Sequence, residues 1–167
     1  MNKNDKIKYM RNSMKGSVVV SVFNVVTLCI IIFAVSALFI HDSKLIGWVV
    51  FVLGLFCLWS LTFFKIVIKS VWPDIVFGLI DNGILAIFAV IGGNIAGVTG
   101  AIIGGAVGNA VTDGIAGIFE GHMAESLRRR QISEERTILG SSIGKMSGCL
   151  LGAGFVLIIA SLLNFSF

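Results

Sequence analysis

Two short stretches of this 167-residue chain carry side chains able to hold an ion: Leu79-Ile80-Asp81-Asn82-Gly83 and Gly108-Asn109-Ala110-Val111-Thr112-Asp113-Gly114. Their polar atoms are carboxylate, amide and hydroxyl oxygens. Oxygen-only donor sets favour hard cations such as Ca²⁺, Mg²⁺ or Na⁺ over zinc or copper. His41 and His122 lie away from both stretches. The 3 cysteines, Cys29, Cys57 and Cys149, each sit inside an apolar run, at neither metal-ligand nor disulfide spacing, and read as packing. On a helix Asn109, Thr112, Asp113 and Glu120 fall on one face, and Asp74 lies two turns below Asp81 on its own face. Ser141 and Lys145 form another i,i+4 pair. The lysine is either the fixed counter-ion of a structural network or a charge that competes with a bound cation. The expected cation-binding residues are Asp81, Asn82, Asn109, Thr112 and Asp113, with Asp81, Asn109 and Asp113 as the metal ligands. Asp74, Glu120, Ser141 and Lys145 line the path or compensate charge.

The elements that position these residues must lie in lipid. Hydrophobic residues make up 56% of the chain and charged residues only 13%, with a mean hydropathy of +0.98. A soluble domain carries about 25% charged residues, and half of that cannot coat a water-facing surface. About 20 apolar residues cross a bilayer core as a helix. Five such runs are predicted: Ser17 to Ile40, Leu45 to Phe64, Ile75 to Gly93, Ile95 to Phe119, and Leu139 to Leu163. None alternates polar with apolar residues as a barrel strand would. The fold class is therefore an all-α integral membrane protein with five transmembrane helices. Residues 1–70 hold a basic tail and two accessory helices, and 71–167 a three-helix core with a basic loop at 120–138.

Charge sets the direction. Lys3, Lys6, Lys8, Arg11 and Lys15 precede the first run, Lys65 and Lys69 follow the second, and Arg128, Arg129, Arg130 and Arg136 follow the fourth; the opposite side has Lys44. The positive-inside rule places the N-terminus in the cytoplasm. Pro73 is expected at the start of the third helix, where its missing N–H does no harm. The third and fourth helices are expected to turn at Gly92-Gly93-Asn94 and to run antiparallel. Phe119, Met123 and Leu127 suggest a short surface helix in the loop that follows, or a plain solvated connector. Asp81 and Asp113 then sit at matching depths, roughly 9 Å from the cytoplasmic face. A carboxylate inside a bilayer costs about 2.5–3.5 kcal/mol, so both should face the bundle interior or a watery cavity.

Glycines mark the packing surfaces. Gly100, Gly104 and Gly108 recur every four residues in the fourth run, and Gly144, Gly148 and Gly152 do so in the fifth. Small residues at this spacing let membrane helices approach closely. The stripes, a glycine-zipper pattern, imply a tight bundle of helices three to five or a homodimer seam. They are packing surface rather than phosphate loops: the run Gly104-Gly105-Ala106-Val107-Gly108 lacks the lysine and the preceding strand that a phosphate cradle needs. No nucleophile–base pair or metalloprotease motif is present, so an enzyme is not expected. The basic residues flank membrane runs, so nucleic acid is not an expected partner. Lipid and inorganic cations are.

The stretches Gly78-Leu79-Ile80-Asp81-Asn82, Gly108 to Gly117, Gly144-Lys145 and Gly148-Cys149-Leu150-Leu151-Gly152 resemble the transmembrane protein sixty-five family over about residues 71–163. The resemblance implies sodium-dependent calcium efflux, carried over to Asp81, Asn82, Asn109, Asp113 and Lys145. The chain lacks the Ser- and Arg-rich leader of the family's mitochondrial members, so a bacterial inner (cytoplasmic) membrane is expected. No resident cofactor is implied; Ca²⁺, Na⁺ or Mg²⁺ would be bound or carried. Three functions stand at this point: a Na⁺-coupled divalent-cation exchanger, a cation channel with an acidic constriction, and a non-transporting assembly or regulatory protein whose glycine stripes recruit partners.

Overall fold

A computed structural model describes the backbone of residues 3–42, 44–130, 137–163 and 165, and the side chains of these except 3–17 and 119–130. Every regular element among them is an α-helix: α1 (Lys3–Phe39), α2 (Ile46–Phe63), α3 (Ile68–Arg130) and α4 (Ile138–Leu162). All 4 are long and apolar enough to cross a membrane, so this is a multi-pass membrane protein. Its surface is inverted relative to a soluble protein. Phe33, Leu38, Ile95 and Val98 are 77–80% exposed, an arrangement that lipid tolerates and water does not.

Each chain reversal has a local cause. Between α1 and α2 the Asp42 carboxylate accepts the N–H groups of Lys44 (3.0 Å) and Leu45 (3.1 Å). The Asp42 carbonyl takes the N–H of Ile46 as well. These bonds satisfy donors that the first turn of α2 leaves open. After α2 the backbone turns left-handed at Lys65 (φ 54). The Ile66 N–H then reaches the Leu61 carbonyl and the Lys65 N–H reaches Thr62, which is the Schellman closure of a helix C-terminus. At α4 the Thr137 hydroxyl caps the helix by accepting from the Gly140 N–H at 3.1 Å.

The expected third and fourth helices form one element in the structure. Helix α3 folds back on itself at Ala96 (φ −137, ψ 25) and Gly97 (φ 59, ψ −141), giving an arm 68–95 and an arm 98–130. The reversal therefore lies beyond Gly92-Gly93-Asn94, which is helical. Gly97 supplies the left-handed φ that a side chain resists. Gly92 instead permits close approach. A Cβ there would collide with the Gly100 carbonyl, and a Cβ at Gly100 with the Gly92 carbonyl. Further down, a Cβ at Gly104 would strike the Phe88 carbonyl and one at Gly108 would come within 2.9 Å of Leu85. The arms thus run antiparallel, backbone against backbone.

Two further differences concern the ends of α3. The helix starts at Ile68, so Pro73 lies inside it rather than at its start. Proline offers no N–H to the Lys69 carbonyl, an omission tolerated in the first turns of the helix. At the other end the backbone remains helical to Arg130, through most of the expected loop 120–138. Side chains 119–130, and with them the proposed apolar stripe and Glu120, lie outside the described residues.

Helix α4 is the centre of the packing. A Cβ at Gly148 would collide with the Ile75 carbonyl, and one at Gly152 with that of Leu79; Gly144 faces Val71 and Asp74. Arm 68–95 therefore runs parallel to α4. Helix α2 runs antiparallel to it, with Gly47 against Leu157 and Ile158, Gly54 against Leu151, and Gly154 against Phe51. The buried side chains Leu28, Cys57, Leu61, Val71, Ile75 and Ile143 join α1, α2, α3 and α4 in one cluster. An apolar groove of about 840 Å³ between α2, arm 68–95 and α4 is lined by residues such as Phe51, Ile84, Leu151 and Phe155. It offers no polar side chain to orient a ligand, so the chemistry lies elsewhere.

Candidate functional site

The polar side chains of the bundle lie at successive heights along α3 and α4. At the lower height is Asp74, only 2% exposed. Its Oδ1 accepts a hydrogen bond from Ser141 Oγ at 2.9 Å. Gly144 allows this approach, because a Cβ there would already lie 3.2 Å from that of Asp74. A carboxylate removed from water needs donors of this kind.

One turn higher, Gly78 packs against the Lys145 backbone. The Lys145 side chain is exposed, and its Nζ lies 4.7 Å from the centroid of the Phe77 ring. The ring face attracts the ammonium. A long stem lets Lys145 place its ammonium over the aromatic ring while its backbone packs in the bundle.

The next height holds Asp81 and Asn82 on arm 68–95, Asn82 half-buried, and Thr112 on arm 98–130, which is 3% exposed. The Thr112 hydroxyl donates to Asp81 Oδ1 across the hairpin. The same Oγ1 lies 3.1 Å from the Gly108 carbonyl and 3.0 Å from the Asn109 carbonyl. Gly108 makes the contact possible by letting the arms close one turn away. Asn82 lies beside the thiol of Cys149 on α4, which also stands in the field of Asp81 and Lys145. Cys149, which reads as packing in the sequence, therefore borders the polar layer. Its place at i+4 from Lys145 and i+8 from Ser141 is the sequence signal for that position.

Asn109 and Asp113 do not join this interior layer. Asn109 Nδ2 donates to Asp113 Oδ2 at 2.9 Å, and both residues are exposed, to one side of the face that meets the partner arm. The single face expected for Asn109, Thr112 and Asp113 is divided. Successive residues step about 100° round a helix, so burying Thr112 turns Asp113 outward. The structure joins Asp81 to Thr112, and Asn109 to Asp113.

Among the described residues, no three His, Cys, Asp or Glu side chains gather closely enough to hold a metal ion. What gathers at Asp81 is one carboxylate with the Thr112 hydroxyl on it, while the next side chain, Asn82, reaches Cys149. Comparison with protein-family models, curated proteins and solved structures returned no match.

Proposed function

We propose that this chain is a membrane cation transporter with its site at the Asp81, Asn82 and Thr112 layer. The observation that carries the reading is the Asp81 carboxylate, held between two closely packed membrane arms by a buried hydroxyl. Such a group is expensive in a bilayer, and intramembrane acids of this kind mark ion pathways. A single carboxylate with neutral oxygens suits a cargo ion. Fewer charged ligands mean weaker binding, and a transported ion must leave again. Asp74 and Ser141 give a second polar station below it.

The reading includes five crossings. The apolar part of α3, Ile68–Ile118, has 51 residues; as one straight helix it would run about 76 Å, more than twice a bilayer core of about 30 Å. Folded at Gly97, each arm is about one bilayer long. The helix directions then alternate through the chain, and the basic residues Lys65, Lys69 and Arg128 to Arg130 fall on the N-terminal side. That side is the cytoplasm of a bacterial inner membrane. Na⁺-coupled exchange of a divalent cation, Ca²⁺ first, is what the family resemblance of residues 71–163 adds.

The test is Ca²⁺ movement in proteoliposomes of the purified chain, with and without an opposing Na⁺ gradient. Movement that needs the gradient supports exchange. A second reading, a non-transporting assembly protein, draws on the glycine contacts, which make a rigid bundle whether or not an ion passes. Folded protein that moves no alkali or alkaline-earth cation would favour it.

A further inference from the structure

The outward side of arm 98–130 carries polarity that the protomer leaves exposed. Thr99, Ile102, Ala106, Asn109, Asp113 and Gly117 follow one another at steps of three and four, and all six are exposed. That spacing is the seam of a left-handed helix pair, and small residues along it permit close approach. A Cβ at Gly117 would meet nothing within 4 Å. Exposed residues flanking the strip, Ile103, Val107 and Val111, are apolar and suit lipid.

Lipid does not suit the strip itself. The Asp113 carboxylate accepts a hydrogen bond from Asn109 at 2.9 Å, and has capacity for more. Acyl chains donate none. The Asn109 amide has a second N–H. In a pair of protomers related by an axis normal to the membrane, the same residues meet at the same depth. Asn109 of one copy then stands within a turn of the other copy's Asp113, and the reverse holds by symmetry. The face is self-complementary, as an isologous interface requires.

We infer that this strip is the docking seam for a second copy of the chain, with Asn109 of each copy donating to Asp113 of the other. The glycine stripes, by contrast, are occupied within the protomer. The inference rests on arm 98–130 crossing the membrane and is independent of whether an ion is carried.

Disulfide trapping in native membranes tests it, using the full chain with Cys29→Ala, Cys57→Ala and Cys149→Ser. Ala106→Cys should give a covalent dimer on oxidation, because a seam brings paired Cα atoms within the roughly 4.4–6.8 Å that a disulfide spans. Val111→Cys, about 140° round the helix from Ala106, should not. Asn109→Leu combined with Asp113→Leu should weaken dimerisation of the folded protein about threefold or more. Equal trapping at both positions, or none, overturns the seam. Labelling of Ala106→Cys by a membrane-impermeant maleimide would instead overturn the crossing itself.

Discussion

Thr112 has one hydroxyl proton and three acceptors in reach: Asp81, Gly108 and Asn109. Asp81 is the acceptor on the opposite arm, so donation to it fixes the carboxylate's orientation across the hairpin. Thr112→Val keeps the shape and removes the donor. It should destabilise the protein by about 0.5–1.5 kcal/mol, the net worth of a hydrogen bond whose acceptor is only part-buried, whereas Thr112→Ser should retain most of the stability. Thermal unfolding in detergent reads both. At this scale the sequence identifies the polar residues but not which way each faces. Depth follows from counting residues along a helix. Facing depends on which neighbour the helix packs against, and the step from Thr112 to Asp113 straddles that boundary. Cys149 is inconspicuous in the sequence because a thiol within an apolar run usually packs, and only its contact with Asn82 sets it apart.

Among the elements, the glycines divide by what an added methyl would meet. Gly148→Ala would push against the Ile75 carbonyl, a backbone atom that cannot swing aside. The expected cost is about 1–3 kcal/mol of overpacking, seen as a lowered unfolding temperature. Gly97→Ala meets open space but keeps φ 59 and ψ −141, a conformation nearly reserved for glycine, and should lose about 1–3 kcal/mol to backbone strain. Lys65 is the converse case, a side chain in the left-handed region (φ 54). Lys65→Gly should raise stability by about 1 kcal/mol, and an unchanged unfolding temperature would contradict the Schellman closure as the cause of that turn. The apolar runs predict α1, α2 and α4 to within a few residues, apart from the N-terminal extension of α1 back to Lys3, because hydropathy alone bounds a membrane helix. The turn in α3 falls later than expected because Gly92, Gly93 and Gly97 look alike in sequence. Two of them are helical, Gly92 serves close packing, and only Gly97 makes the turn.

For the whole molecule, the order of burial is the informative feature. Of the apolar windows, α4 is 44% buried, α2 33% and the α3 window only 17%. Helix α4 is thus the pillar against which α2 and arm 68–95 lean, and α1, whose apolar window is 11% buried, is the peripheral member. Asp81 and Thr112 meet where the two arms of α3 close on each other, while Asn109 and Asp113 stay exposed. Packing order of this kind is invisible to hydropathy, which sees five similar runs. The proposed transport depends on Asp81 as the ion ligand, so the deciding measurement compares Na⁺-dependent Ca²⁺ flux of Asp81→Asn with that of the parent chain in proteoliposomes. Loss of flux in Asp81→Asn, with unfolding temperature and helix content preserved, is the predicted result. Undiminished flux in folded Asp81→Asn would contradict the site.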